Sequence, residues 1–326
     1  MKEDSGGRRN SAGGDAPRRR WQCTGNYRAN EEVDVLTAPK VAAIIPIHNG
    51  REETLAFLDS MGRVTYPNLE IIVVDDGSTD GSAGAIAEMF PVVIIISGDG
   101  QLWWSGATNL GVREAMRRGA DFVLTINNDN VVEPGFLEPL VETSLTRSRS
   151  LVTSKMFDFD DRTYVCSFGG KIDWLIGEIR DYTNRRDTCN FDELMECDWV
   201  HGSCTIIPVD AFHELGMFDQ ANYPQYHGDA EFSLRAKRHG YRLLVEPRSV
   251  VCNRTAVSAG TSSLNSGRIR AMLSDYRSPF FFRANYRLYM EYCPWHPKVL
   301  FLAVRYLRML YSICRRRFVD KTRLRQ

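Results

Sequence analysis

The sequence predicts an α/β fold built on a doubly wound, mostly parallel sheet. Four continuous apolar runs, at 41–47, 69–76, 92–97 and 120–126, alternate with segments of helical pattern. Such runs are typical of strands buried on both faces, and their alternation with helices is typical of a parallel sheet. In sheets of this kind ligands bind beyond the carboxyl ends of the strands.

The first half has the clearer pattern. The predicted order is strand 41–47, helix to about Met61, strand 69–76, helix to about Met89, strand 92–97, helix 106–118 and strand 120–126. The second half is less regular: short strands with turns over 150–180, a polar loop over 181–197, helices at 208–215 and 229–239, and a strand at 241–245. No separate second core is visible, so residues 40–260 are predicted to form one domain.

Composition and charge narrow the class of protein. The 326 residues are 43% hydrophobic and 25% charged, which excludes collagen-like, low-complexity and wholly disordered chains. The formal net charge is zero, with 41 basic and 41 acidic residues, and this argues against a dedicated nucleic-acid binder. The charge is unevenly spread, however: residues 1–20 carry +3, residues 298–326 carry +8, and the body between them carries −11.

The cysteines indicate no metal site or disulfide framework, and the sequence shows no signal peptide or membrane span. The eight cysteines form no C-x-x-C pair, so we expect reduced thiols rather than a zinc site or a disulfide framework. Residues 1–39 are polar, Gly-rich and basic, which predicts a disordered leader and no signal peptide. The longest apolar run near the C-terminus, 299–304, is far too short to span a bilayer.

Carboxylates follow the second predicted strand at Asp75 and Asp76. At the end of a strand they can accept hydrogen bonds from a nucleobase or a ribose, and Gly77 would let the backbone approach. The alternative is helix capping, which is equally good for Asp80. No G-x-G-x-x-G motif follows any strand, which argues against a dinucleotide site.

The fourth strand is followed by Asn127, Asn128, Asp129 and Asn130. Hard oxygen ligands of this kind suit a Mg²⁺ or Mn²⁺ ion that also binds substrate phosphates, with Asp129 as the ligand. The alternative is an Asx-rich turn. The position of the cluster at a strand end favours the metal site.

Two further segments carry candidate residues. Trp103 and Trp104 stand among small residues after the third strand, where they could stack on a sugar or base or simply fill the core. Asn109 is either polar lining or part of a helix face. Asp229 and Glu231 open a predicted helix, where carboxylates stabilise the dipole; Asp229 could equally act as a general base on a sugar hydroxyl.

The order of these motifs resembles that of family-2 glycosyltransferases of the GT-A fold, nearest to a rhamnosyltransferase-like branch. Over about residues 41–255 the motifs are IIPIHNG, VVDDGSTD, INNDN with EPGF, WVHGSC with FDQ, and HGDAEFSLRAKRHGY. The resemblance implies inverting sugar transfer from a nucleotide-diphosphate sugar. It also implies a nucleotide-binding half at 40–130 and an acceptor half at 131–260.

The resemblance assigns roles residue by residue. Asp229 would be the base that deprotonates the acceptor hydroxyl, and Asp129 would be the surviving metal ligand of the D-x-D position. The candidate nucleotide-sugar contacts are Pro46, Asp75, Asp76, Trp104, Asn109 and Asn128. The acceptor-side candidates are Trp199, His201 and Gly202.

The sequence departs from the family pattern at three places. Asn127 replaces the first D-x-D carboxylate, and Gly228 replaces the Glu that precedes the base. Asn253 and its neighbours stand where a His is frequent, which puts a third metal ligand in doubt. There is no Q-x-x-R-W motif, so a single-addition transferase is favoured over a processive synthase.

The C-terminal extension, 261–326, is aromatic and basic. Its last part has apolar residues at three- and four-residue spacing: Leu300, Val304, Leu307, Leu310 and Cys314. A basic amphipathic helix with aromatic flanks predicts association with an anionic membrane surface. The alternatives are a helix packed on the catalytic domain or a homodimer contact.

The resulting hypothesis is a metal-dependent inverting glycosyltransferase of surface-polysaccharide assembly. It would be cytoplasmic and peripheral at the inner face of the cell membrane, with a saccharide or lipid-linked acceptor and no nucleic-acid partner. One alternative is a nucleotidyltransferase on a similar scaffold, although no Gly-rich, Lys-bearing loop follows the first strand. Another is a catalytically inactive binding protein of the same fold, which the residues at 127 and 228 motivate.

Overall fold

A computed structural model describes the backbone of residues 38–181, 185–186, 191–254 and 266–323. Side chains are described within these ranges except at 185–186, 266–268 and 313–323. The predicted basic leader, up to residue 37, lies outside the described residues.

The chain alternates strands and helices through its first half and then becomes strand-rich. The strands are β1 Val41–Ile47, β2 Leu69–Asp75, β3 Ile94–Ser97, β4 Phe122–Ile126, β5 Asn130–Val132, β6 Ser150–Asp158, β7 Tyr164–Ser167, β8 Gly170–Asp173, β9 Glu178–Asp181, β10 Arg185–Arg186, β11 Met195–Glu196, β12 Cys204–Pro208 and β13 Arg242–Asn253. The helices are α1 Arg51–Met61, α2 Ser82–Met89, α3 Trp103–Arg117, α4 Leu137–Thr146, α5 Val209–Leu215, α6 Gly228–Arg238, α7 Ser266–Ser274, α8 Phe282–Tyr292 and α9 Lys298–Arg323.

The central sheet has the strand order β10-β7-β6-β12-β4-β1-β2-β3, and β13 joins it beside β6. Strand β1 is parallel to both of its neighbours: Ile45 lies opposite Val73 of β2, and Ile44 lies opposite Thr125 of β4. Strand β12 is antiparallel to β4 and β6. The carboxyl ends of β1, β2, β3 and β4 therefore meet at one edge.

Helices cover both faces of this sheet, which confirms the doubly wound arrangement. Side chains of β1 alternate between two core layers, because successive residues of a strand point to opposite faces. Ile45 packs in one layer with Phe57 of α1, and Ile44 packs in the other with Val112 of α3. All four are fully buried.

The structure corrects several element boundaries. Helix α3 begins at Trp103, three residues before the predicted start, so both tryptophans lie in its first turn. The third and fourth strands begin two residues later than predicted. The predicted strand at 241–245 continues to Asn253 across a register shift between Glu246 and Val250. The shift accommodates Pro247, a residue that argues against a strand when read from sequence alone.

The second half holds more regular structure than predicted. Strand β6 is nine residues long and almost entirely buried, and α4 precedes it. Strands β10 and β11 fall within the predicted polar loop, and β12 forms the apolar segment after Ser203. The sequence does not reveal these strands clearly, because they are short or lie between antiparallel neighbours and their apolar residues follow no clear period.

The C-terminal extension is helical, as predicted, and one side of it packs on the α/β domain. Leu288, Tyr289 and Tyr292 of α8 are buried, and Trp174 of the turn between β8 and β9 packs against this group. Among the described helices, none is both long enough and apolar enough to cross a membrane.

The contact between α3 and β1 gives a stability test. A Cβ on Gly111 of α3 would lie 2.3 Å from Cγ2 of Ile44, a buried branched side chain that cannot move aside cheaply. We expect Gly111→Ala to lower the free energy of unfolding by about 1–3 kcal/mol, measured by urea denaturation. Gly84 of α2 has open space around it, so Gly84→Ala should be neutral or stabilising by about 1 kcal/mol. Equal destabilisation of both variants would contradict this packing.

Candidate active site

Asp76 fixes the loop that follows β3. Its carboxylate is buried, with Oδ1 accepting from the N–H of Gly100 at 2.7 Å and Oδ2 accepting from the N–H of Trp103 at 2.9 Å. The Asp76 carbonyl also accepts from Nδ1 of His48 at 2.7 Å. The carboxylate therefore satisfies a backbone donor at the start of α3, where a helix lacks partners of its own.

Asp75 and the residues after β1 form the adjoining turn. Asp75 Oδ1 accepts from the N–H of Ser78 at 2.9 Å, and Ser78 Oγ accepts from the N–H of Asn49 at 2.7 Å. Asp80 accepts from the N–H of Ser82 at the start of α2 and from the N–H of Arg51 at the start of α1. Asp80 is thus a helix cap, whereas Asp75 and Asp76 lie at the sheet edge.

Trp104 connects the end of β4 to the segment around Gly202. Its Nε1–H donates to Oδ1 of Asn127 at 3.1 Å, and its ring packs edge-on to Phe218 with centroids 5.3 Å apart. A Cβ on Gly202 would come within 2.1 Å of the Trp104 ring, so only glycine fits at position 202. The indole therefore lies between the Asn127 segment and the Gly202 segment.

Asp129 follows Asn127 at the same edge and is partly exposed. Its carbonyl accepts from the N–H of Arg254, while Asn128 Nδ2 donates to Oγ1 of Thr54 at 2.8 Å. Among the described residues no group of three or more His, Cys, Asp or Glu side chains could hold a metal. The chain offers one carboxylate here, which fits a Mg²⁺ or Mn²⁺ ion whose remaining ligands are waters and substrate phosphates.

Asn109 and Trp103 do not line this edge in the way that the sequence suggested. Asn109 is 1% exposed, and its amide exchanges two hydrogen bonds with the backbone of Phe218, at 2.9 and 3.0 Å. Its amide holds the loop after α5, so any contribution to a nucleotide-sugar site is indirect. Trp103 packs edge-on to Tyr276 of the C-terminal extension.

Asp229 lies in the first turn of α6 and faces the 201–202 segment. Its Oδ2 accepts from the N–H of Gly202 at 3.1 Å. Burial raises the pKa of Asp229 above its ordinary value, while the Gly202 N–H and the nearby His201 act in the opposite direction. The raised pKa makes Asp229 a stronger base than an ordinary aspartate.

His201 is held by two groups that the sequence analysis did not identify. Its Nε2 contacts Oδ1 of Asp181 at 2.8 Å and the hydroxyl of Ser167. Burial opposes protonation of His201, but Asp181, with a smaller contribution from Asp229, raises its pKa above the ordinary value. When His201 is protonated, its positive charge lies beside Asp229. Asp181 belongs to a short strand without a motif, and no sequence signal would have found it.

Trp199 and Glu231 have structural roles. Trp199 is 9% exposed and packs with Ile172 and Ala230, so it supports the acceptor side from within. Glu231 is buried, pairs with Arg235 at 2.8 Å and accepts from the hydroxyl of Tyr292 at 2.7 Å. It anchors α8 on α6.

Pro46 and Gly228 complete the candidate residues. Pro46, half-buried in β1 opposite Val74, lies one residue before the edge. A Cβ on Gly228 would lie 2.5 Å from Oγ of Ser105 and 3.2 Å from the Tyr223 carbonyl. A larger residue at 228 would push α6 away from α3.

The contacts gather most predicted site residues at one edge. Asp76 holds the start of α3, Trp104 links that start to Asn127 and Gly202, and Gly202 bonds Asp229. A parallel sheet with carboxylates and amides at its carboxyl edge has the features of a ligand-binding site.

Comparison with known proteins identifies the family. The sequence profile of Glycosyl transferase family 2 matches residues 42–216, more than half of the chain. The chain belongs to this family, and the predicted resemblance is confirmed.

Several characterised or named bacterial proteins are similar in sequence. Glycosyltransferase GlyG of Streptococcus pneumoniae serotype 4 is 25% identical over 216 residues, covering 63% of this chain and 65% of GlyG. GlyA of the same organism is 26% identical, covering 58% of this chain and 26% of GlyA. An N-acetylglucosaminyl-diphospho-decaprenol L-rhamnosyltransferase of Mycobacterium tuberculosis is 23% identical, covering 63% of this chain and 72% of that protein.

Two solved glycosyltransferase structures share the fold. GalNAc-T7, solved with UDP, GalNAc and Mn²⁺, gives a TM-score of 0.55 at 17% identity, covering 75% of this chain and 50% of that one. The mannosyltransferase PcManGT of Pyrobaculum calidifontis, in complex with GDP-Man and Mn²⁺, gives 0.53 at 17% identity, covering 84% and 71%. The predicted GT-A fold is confirmed.

The contribution of the two hydrogen bonds that the Asp76 carboxylate accepts can be tested by substitution. Asp76→Asn replaces one acceptor oxygen by an NH₂ group, which leaves a backbone N–H at Gly100 or Trp103 without a partner. We expect the free energy of unfolding to fall by about 1–3 kcal/mol in urea denaturation.

Asp99 provides the matched control. It lies in the same loop and accepts from the N–H of Gln101 through Oδ1, an oxygen that asparagine retains. Asp99→Asn should change stability by less than about 0.5 kcal/mol. If the two variants were equally stable, Asp76 would not be holding the start of α3.

Proposed function

We propose that this chain is an inverting, metal-dependent glycosyltransferase that uses a nucleotide-diphosphate sugar. The observation that carries the proposal is the position of Asp229, a carboxylate with a raised pKa in the first turn of α6, beside Gly202 and His201. Family membership supports the reaction class. The gathered residues at the sheet edge support the division into donor and acceptor halves.

The proposed reaction is a single displacement. The acceptor hydroxyl oxygen bonds to the anomeric carbon of the donor sugar, and its proton passes to Asp229. The bond from that carbon to the diphosphate oxygen breaks, and the nucleoside diphosphate leaves with the electron pair. Attack opposite the leaving group inverts the anomeric configuration, and only one base is needed.

The donor half would bind the nucleotide. Asp75, which is buried at the end of β2, and Ser78 in the turn that follows would offer carboxylate and hydroxyl oxygens to the nucleoside. Asp129 would hold the Mg²⁺ or Mn²⁺ ion, which neutralises charge on the diphosphate when bound. We propose dTDP-rhamnose as the donor and a saccharide or lipid-linked acceptor; the similarity to an N-acetylglucosaminyl-diphospho-decaprenol L-rhamnosyltransferase supports the sugar and the lipid-linked acceptor.

Removing the proposed base separates binding from chemistry. Asp229→Asn keeps the shape of the side chain and one acceptor oxygen for the N–H of Gly202 or of Ala230, but it cannot take a proton. We expect the transfer rate to fall by about 100-fold or more, while the affinity for the nucleotide diphosphate, measured by calorimetry with Mn²⁺, stays near that of the wild type.

The matched control for this variant is Asp210→Asn on the exposed side of α5. It should transfer sugar at the wild-type rate. Full activity in Asp229→Asn would refute the assignment of the base. If the wild type shows neither transfer nor donor hydrolysis with any nucleotide sugar, it is an inactive binding protein.

The pH profile tests the charge next to the base. Burial raises the pKa of Asp229, and the His201 charge lowers it, so removing that charge must raise it further. Since the base works when deprotonated, activity is lost as the pH falls through this pKa. We therefore expect His201→Gln to move the acid limb of the kcat/KM profile to higher pH, whereas His213→Gln, on the exposed side of α5, leaves it in place. If the acid limb of His201→Gln lay at the same pH as that of the wild type, the proposed effect of His201 on the pKa of Asp229 would be wrong.

A further inference from the structure

The exposed apolar side chains of the described residues are concentrated in the C-terminal extension. Of the fourteen large hydrophobic side chains that are exposed, eight lie between residues 282 and 311. They are Phe282, Tyr286, Trp295, Val299, Leu300, Leu307, Leu310 and Tyr311. A concentration of this kind marks a surface that contacts something apolar.

Helix α9 presents two different faces. Leu302, Arg305 and Met309 are buried against the rest of the chain. Leu307 follows Leu300 by seven residues and precedes Leu310 and Tyr311 by three and four residues, so these four side chains share one face of the helix. This face lies on the solvent side, with Leu307 64% and Tyr311 67% exposed. We call these four residues the outer stripe. Of the stripe predicted from sequence, Leu300, Leu307 and Leu310 are exposed and Val304 is half-buried, while the side chain of Cys314 lies outside the described part.

Arg305 holds α9 in this orientation. Its Nη1 donates to the Gly177 carbonyl at 2.8 Å, and its Nη2 donates to the Pro279 carbonyl at 3.2 Å. A buried arginine bonded to two separate segments cannot rotate outward without breaking both hydrogen bonds. The outer stripe is therefore exposed because the opposite face is fixed, and packing α9 down cannot cover it.

The charge around the outer stripe selects its partner. The segment 282–323 contains ten basic residues and two acidic ones. Arg283 and Arg287 of α8 and Arg308 of α9 are exposed, and the sequence of α9 continues with Arg315, Arg316 and Arg317. Such an excess of positive charge beside apolar and aromatic residues complements an anionic lipid surface, whereas two copies of the same basic face would repel each other.

We propose that α9 lies in the plane of an anionic membrane, with the outer stripe inserted among the acyl chains and the surrounding arginines at the headgroups. Trp295 and Tyr286, each 45% exposed, suit the interface because their rings are amphipathic. The helix lies on the membrane and does not span it, in keeping with the charges along its length.

This orientation would place the acceptor side of the site near the lipid. The Pro279 carbonyl that Arg305 holds also accepts from Nε2 of His227, one residue before Gly228 and two before Asp229. Gly177 lies in the turn before β9, which carries Asp181. A lipid-linked acceptor would then reach Asp229 from the membrane surface; this consequence alone rests on the proposed function.

Vesicle binding by the full 326-residue chain tests the proposal without donor or acceptor. In flotation assays the wild type should bind vesicles of phosphatidylcholine mixed with phosphatidylglycerol, and bind phosphatidylcholine alone at least about tenfold more weakly. Leu307→Glu/Leu310→Glu, which places charges in the outer stripe, should also lower binding about tenfold or more. The circular dichroism spectrum of this variant is compared with that of the wild type to check that the variant is folded.

The control variant is Leu145→Glu/Met89→Glu, which alters two equally exposed apolar residues on α4 and α2. It should bind as the wild type does. The proposal is overturned if the wild type ignores anionic vesicles, if the stripe variant binds undiminished, or if light scattering shows a dimer that only the stripe variant disrupts. Sugar transfer is assayed separately with a water-soluble acceptor, so failure of the proposed function leaves the vesicle result standing.

Discussion

The buried carboxylate of Asp76 is the interaction on which the site depends. By accepting from both Gly100 and Trp103, it decides where α3 begins, and so it decides where Trp104 lies. Trp104 in turn bonds Asn127 after β4 and packs against Gly202 before β12. A single charge at the end of β2 therefore sets the spacing of two halves that come from distant parts of the sequence.

Two glycines make that arrangement possible. Gly202 lets the Trp104 ring lie against the backbone whose N–H bonds Asp229, and Gly228 lets α6 approach Ser105 of α3. Gly228 stands where the resemblance places a glutamate, and it lies at the close contact between α6 and α3. A glutamate side chain would fit at this position only if the two helices moved apart. Asp181, on a neighbouring strand, raises the pKa of His201, and a protonated His201 lowers the pKa of Asp229.

The sequence predicted the first half of the fold well because its strands are continuous apolar runs that end in polar residues. It also predicted that Asp75, Asp76, Asn127 and Asp129 lie at one edge, since parallel strands bring their carboxyl ends together. It could not predict the partners of these residues. The early start of α3 depends on Asp76, which is remote in sequence, and Asp181 lies on a four-residue strand without a pattern. The burial of Asn109 likewise arises from a loop more than a hundred residues away.

The uneven charge of the chain also has a spatial meaning, because Arg305 is buried with its hydrogen bonds inside the molecule whereas Arg308 on the same helix is exposed. The most direct test of the account is a crystal structure with an intact nucleotide sugar and Mn²⁺, using Asp229→Asn to prevent turnover. The account predicts an anomalous Mn²⁺ peak at Asp129 beside the diphosphate, with the anomeric carbon facing residue 229 across an open acceptor space. A nucleotide bound away from the 75–76 and 127–129 segments, or a sugar turned away from residue 229, would contradict it.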